Sequence, residues 1–319
     1  MLPMFRLAKR RYLFLIGWVT GDEMSEQTSD TGTASAIRIL VPLDGSAEAR
    51  TALPYAAALA TPGTEIVLLT VVPSRDADTA RAGLETAAQR LRVAGLSVRT
   101  EVASGDPARR IVDSAAELGA EMIVIASHGR GALGRLIHGS VADRVGRESL
   151  VPVMVVRANQ LQPGPVGITR LVVPLDGSSR AEAALPVATA LSRRLGTPIS
   201  LVRVVEPANL MPPAVGVGEA IPFEIYDEAE KELEQETRCY LDTMAQTLRE
   251  QGLPVATSVL MGPPAMSIEE ATHLGDVLVL CSHERTRVMR WLLGSVAEKL
   301  TREDESPVIL VPAPDHPVD

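Results

Sequence analysis

The sequence predicts an α/β protein of two tandem domains, each a doubly wound sheet of five parallel strands. Three observations carry that expectation. The chain repeats its own motifs, short Val- and Ile-rich runs alternate with helical segments inside each copy, and 319 residues suit two domains better than one.

The repeat is direct. I-R-I-L-V-P-L-D-G-S at residues 37–46 returns as I-T-R-L-V-V-P-L-D-G-S at residues 168–178, so Asp44 corresponds to Asp176. S-G-D-P at residues 104–107 returns as M-G-P-P at residues 261–264, and I-A-S-H-G at residues 125–129 as L-C-S-H-E at residues 280–284. G-S-V-A occurs at both 139–142 and 294–297. The offset grows from 132 residues at Asp176 to 155 at Ser295, a net insertion of 23 in the second copy. Pro207, Pro212, Pro213, Pro222, Gly216 and Gly218 place that insertion near residues 206–226, as a long loop before a helix. The resulting division is an extension at 1–34, a first domain at 35–158, a linker at 159–167, a second domain at 168–313 and a tail at 314–319.

In the first copy the apolar runs are 37–41, 66–72, 98–102, 122–126 and 153–156, and the helical segments are 47–60, 79–93, 107–118 and 140–147. Runs of that length and composition, separated by amphipathic segments, read as parallel strands buried on both faces. Right-handed crossovers then give a doubly wound sheet, whose ligands sit outside the carboxyl ends of the strands where the strand order reverses.

Composition narrows the function. A net charge of −9 argues against nucleic-acid binding by phosphate neutralisation, and aromatics at 3% leave little material for base-stacking platforms. Cys239 and Cys281 fit neither a disulfide framework nor a zinc site, which suits a cytoplasmic protein. No run of 18 apolar residues occurs, so no membrane span is expected. Near the start, Arg6, Lys9, Arg10 and Arg11 precede an apolar run at 12–19, a pattern like a weak signal peptide without a small-residue cleavage site. The expectation is that Met24 is the true initiator; an anchoring or export segment is the alternative.

The chemistry-bearing residues gather at one predicted sheet edge. Asp44 ends the first run, Val71 the second, and Gly129, Gly131, Gly134 and Gly139 punctuate the loop before a helix opened by Ser140. Glycines let backbone approach a ligand, and free helix N–H groups favour phosphate. Arg130 and Arg135 add positive charge, while no G-x-x-x-x-G-K-[ST] string occurs. Simpler roles exist for each residue. Ser140 and Ser295 can be helix N-caps worth about 1 kcal/mol, and Asp44 and Asp176 can cap the first helix of each copy through a turn. His128 and His283 lack a carboxylate or thiol at diagnostic spacing, and Cys281 reads as strand packing. No catalytic residue and no metal ligand set is assigned, and no G-x-S-x-G, H-E-x-x-H or kinase motif occurs.

Both copies resemble the universal stress protein family, whose ATP-binding members carry G-x-x-G, nine residues, then G-[ST], after an upstream P-x-D turn. The first copy has Ala126-Ser127-His128-Gly129, nine residues, then Gly139-Ser140, after Pro42-Leu43-Asp44. Ala126 thus stands where the family has glycine, a change that costs about 1 kcal/mol if the position needs positive φ. The resemblance implies a Rossmann-like fold with the last strands of the two copies paired pseudo-symmetrically, leaving a homodimer open. It further implies that Pro42, Asp44 and the main chain of Val71 face adenine and ribose, while Ala126, His128, Gly129, Arg130, Gly139, Ser140 and Val141 surround the phosphates of ATP, with or without Mg. The second-copy equivalents, Asp176, Val204, Gly294 and Ser295, form a weaker site, because Glu284 replaces a glycine. A carboxylate 4 Å from a phosphate charge is repelled by about 4 kcal/mol at an effective dielectric near 20. Implied function is stress response or signalling through ATP and an unidentified protein partner. The alternatives are a nucleotide-free interaction module and a slow ATPase or adenylyl-transferring enzyme.

Overall fold

In a computed structural model of the chain, residues 37–127, 140–158, 166–206, 223–281, 295–303 and 306–313 are described. The expectations for the N-terminal extension, for linker residues 159–165 and for the tail from 314 lie outside them.

The first copy folds as β1 (Ile37–Pro42), α1 (Ala52–Leu59), β2 (Thr64–Val71), α2 (Ala77–Val93), β3 (Ser97–Ala103), α3 (Pro107–Leu118), β4 (Met122–Ser127), α4 (Ser140–Glu148) and β5 (Val153–Arg157). Its strands lie in the order β3-β2-β1-β4-β5, all parallel. Order reverses between β1 and β4, the switch point of a doubly wound sheet. The core is the sheet itself: Ile39, Leu40, Ile66, Leu68, Leu69, Ile123 and Met154 are fully buried.

Local rules explain most boundaries. Asp106 caps α3 by accepting the Arg109 N–H at 3.0 Å, Pro107 occupies the first turn, and Gly119 stops the helix at φ +60°. The segment expected as one helix at 47–60 instead starts with a 3-10 turn, Ala49–Thr51, before α1. Pro54 has no N–H to give the carbonyl of Arg50, so an α-helical ladder cannot run through this point. Pro186 does the same in the second copy, splitting the helix into α5 (Ser179–Glu182) and α6 (Leu185–Leu195).

The second copy continues with β6 (Arg170–Pro174), β7 (Ile199–Val205), α7 (Phe223–Glu250), β8 (Val255–Met261), α8 (Pro264–Ala271), β9 (Asp276–Cys281), α9 (Ser295–Glu303) and β10 (Val308–Val311). Strands β8-β7-β6-β9 are parallel in that order, so the switch point falls between β6 and β9. Asp276, 3% exposed, is paired with Arg170 of β6, whose Nε donates at 3.0 Å, and accepts the His273 N–H at 2.8 Å. Part of the insertion lengthens a helix: α7 has 28 residues against 17 in α2 and already begins at Phe223, inside the segment expected to be loop. Residues 207–222 lie outside the described residues.

Strand β10 groups with the first unit, where it runs antiparallel to β5 with Ile309 opposite Met154. The expected pairing of the two last strands is therefore present. It satisfies the ladder of β5, which would otherwise be an open edge.

Candidate functional site at the switch point of each sheet

In the first copy, β1 is fastened to β2 at its last residues. The Leu43 N–H donates to the Leu69 carbonyl at 2.8 Å, and the buried Thr70 hydroxyl donates to the Leu43 carbonyl at 2.8 Å. With Pro42 in register with Leu69, the next residues on each strand bring Asp44 level with Val71. Pro42 is buried, Val71 half-buried and Asp44 exposed.

The Asp44 carboxylate makes the turn that starts the next helix. Its Oδ1 accepts the Ser46 N–H at 2.9 Å across Gly45, whose φ of +87° suits glycine. Ser46 Oγ accepts the Ala49 N–H at 3.0 Å, and Arg50 donates to the Gly45 carbonyl at 3.0 Å. The turn foreseen at Asp44 is present, while the N–H at the start of the helical segment, that of Ala49, goes to Ser46 rather than to Asp44. Among the described residues, nothing lies within 4 Å of a side chain built on Gly45.

Across the switch point, β4 flanks β1 through Ile39 opposite Met122 and Leu40 opposite Ile123. Ala126 sits in the ladder opposite Val156, so its backbone is extended and the methyl needs no positive φ. That removes the backbone cost raised for this departure from the family pattern. His128, Gly129, Arg130 and Gly139 lie outside the described residues. Ser140 is the first residue of α4, Val141 follows half-buried, and Ala142 and Val145 anchor the helix in the core. Asp44, Val71, Ala126 and the start of α4 therefore belong to elements whose carboxyl ends, or amino end for the helix, meet one sheet edge.

The second copy repeats the frame with different furniture. Leu175 donates to the Val202 carbonyl at 2.8 Å, and Asp176 accepts from the Ser178 N–H at 2.9 Å and the Ser178 hydroxyl at 2.5 Å. Burial pushes this carboxyl up, but the Ser178 bonds and the charge of Arg203 outweigh it and hold it below the usual carboxylate range. Val204 is half-buried one residue beyond Arg203 in β7, Ser295 is exposed at the start of α9, and Gly294 lies outside the described residues.

Sequence reasoning missed Arg203 and Tyr240. The Arg203 guanidinium lies 5.0 Å from the Tyr240 ring centre, and the Tyr240 hydroxyl donates to Glu182 Oε1 at 2.7 Å. Burial, then that bond, push the phenol well above its ordinary range. The signal lies in aligning the copies by strand register: Arg203 stands where the first copy has Thr70, and Tyr240 where it has Gly83. Cys281, the counterpart of Ala126, ends β9 with its thiol pushed up to about 11 by burial. Among the described residues no three His, Cys, Asp or Glu side chains cluster to hold a metal, and no helix is long and apolar enough to cross a membrane.

Comparison with known proteins agrees with this frame. The model of the universal stress protein family matches residues 37–157 and again 167–312. A universal stress protein of Mycobacterium tuberculosis is 29% identical over 221 residues, covering 67% of this chain and 69% of the relative. One from Methanocaldococcus jannaschii is 30% identical over 147 residues, covering 46% of this chain and 82% of the relative. The crystal structure of a universal stress protein from Archaeoglobus fulgidus shares the fold at a TM-score of 0.63 and 21% identity, covering 88% of this chain and 99% of that one. With the family domain matched twice, over most of its length, this chain belongs to the universal stress protein family as a tandem member.

Proposed function

We propose that the first copy binds ATP at its switch-point edge and that occupancy changes the surface offered to a protein partner in cytoplasmic stress response or signalling. The observation that carries the reading is that Asp44 follows directly on Leu43, which is hydrogen-bonded to Leu69 and Thr70 next to Val71, at the end of β1 beside β4 and Ala126. A crevice outside the carboxyl ends at a strand-order reversal is where doubly wound sheets hold ligands. Asp44 is an exposed carboxylate at this edge, a group that accepts hydrogen bonds from hydroxyls such as those of a ribose. The first N–H groups of α4, which begins at Ser140, have no carbonyl partner within the helix and are of the kind that favours phosphate. His128, Gly129, Arg130 and Gly139 complete the phosphate side in this reading, with or without Mg. Binding and signalling, rather than fast turnover, is the role.

The experiment is release of bound nucleotide by heating freshly purified protein, followed by chromatography, together with titration of the emptied protein with ATP. Recovery of adenine nucleotide or saturable binding is expected. No nucleotide and no binding at millimolar ATP would count against the proposal.

A further inference from the structure

We infer that the Arg203–Tyr240 stack is an internal occupant of the second crevice and restricts nucleotide to the first copy. The inference rests on reading the space beside Asp44 and Val71 as the base-and-ribose half of a nucleotide site.

The argument is a comparison of the copies position by position. In the first, Thr70 spends its hydroxyl on the Leu43 carbonyl and lies buried, while Gly83 on α2 and Gly45 in the turn have nothing within 4 Å of a built side chain. Neither Thr70 nor Gly83 therefore puts a cation or a ring over the Asp44 turn. In the second, the same strand position carries arginine, and its guanidinium covers the turn. A side chain built on Gly177 would meet Arg203 Nη1 at 3.0 Å and Cζ at 3.2 Å.

The guanidinium is held on an aromatic face that is itself fixed. The Tyr240 ring stacks with it at 5.0 Å, a favourable contact for a planar cation on an aromatic face. Glu182 fixes that ring through its hydroxyl at 2.7 Å, and the charge of Arg203 in turn favours the ionised carboxylate of Asp176. Glu182 occupies the position of Arg50, so the residue that reaches the turn carbonyl in the first copy is replaced by one that orients the tyrosine. A base entering beside Asp176 would have to unstack the guanidinium and strip Asp176 of its positive neighbour. The corresponding positions of the first copy, Thr70 and Gly83, supply neither a guanidinium nor a ring. Arg203 and Tyr240 thus act as specificity-determining residues for a two-copy chain that takes one nucleotide.

The test is ATP stoichiometry of the full chain by equilibrium dialysis, for the unaltered protein, Arg203→Thr, and Arg203→Thr with Tyr240→Ala. Each is measured with Glu284 present and with Glu284→Gly, so that the carboxylate at 284 cannot mask the result. Thermal unfolding checks that each variant is folded, and the single Arg203→Thr change carries the test if the double change is not. A second nucleotide per chain, within about tenfold of the first in affinity, is expected once Arg203 is removed. Two nucleotides in the unaltered chain, a second site from Glu284→Gly alone, or no gain from removing Arg203 in either background overturns the inference. An unaltered chain that binds none, with one site gained on removing Arg203, overturns the proposal for the first copy and leaves standing that Arg203 and Tyr240 occupy the second crevice.

Discussion

The hydroxyl of Thr70 donates to the carbonyl of Leu43 at 2.8 Å, inside the protein, and so ties the residue that follows β1 to β2 one position before Asp44. Thr70→Val keeps shape and removes the donor. A buried carbonyl left without its partner costs about 1–3 kcal/mol. Urea unfolding of Thr70→Val is expected to show that loss of stability, and ATP affinity is expected to fall as the Asp44 turn loosens.

Asp276 is the buried end of the ion pair with Arg170 that sets β6 against β9. Removing one partner of such a pair strands the other, at a cost of about 3–5 kcal/mol for a fully buried pair; Arg170 is partly exposed, which moves the expectation to the lower end. Asp276→Ala is therefore expected to lower unfolding stability by about 3 kcal/mol. Asp44→Ala, which removes an exposed turn acceptor, costs about 1 kcal/mol. Chemical denaturation of the two variants separates these values.

Alkaline pH is expected to weaken the fold through Cys281. Burial raises its thiol from 9.0 to about 11, with Asp176 adding and Arg180 opposing. The folded state therefore holds the proton more tightly than the unfolded chain. That contribution is complete below pH 9 and is lost as the pH climbs towards 11, on the order of 2 kcal/mol. Tyr240, also raised, acts with the same sign at still higher pH. Stability measured from below pH 9 up to about pH 11 is expected to fall less steeply in Cys281→Ala, which carries the residue of the first copy. Equal slopes would contradict the burial of the thiol.

Much of the fold is legible in the sequence because its signals are local. Val- and Ile-rich runs of strand length, Pro107 and Gly119 at the ends of one helix, and a repeated P-L-D-G-S turn each dictate their own structure. The Asp44 turn belongs to that class. Pro54 shows the limit, since a helical pattern of apolar residues outweighed one missing N–H in the reading and the chain answered with a 3-10 turn. Ala126 needed coordinates for a different reason: whether its methyl costs anything depends on φ, which the ladder with Val156 fixes. Arg203 and Tyr240 were hidden because each is unremarkable alone. Their equivalence to Thr70 and Gly83 appears only when strand register spans the insertion, which shifts the offset from 133 residues at Arg203 to 157 at Tyr240.

The central claim is that adenine nucleotide binds at the Asp44 edge of the first copy. Isothermal titration of ATP into the unaltered chain, Asp44→Ala and Asp176→Ala tests it directly. The account predicts saturable binding that weakens by about tenfold or more in Asp44→Ala and is unchanged in Asp176→Ala. Binding lost with Asp176 and kept without Asp44, or equal in all three proteins, would contradict it.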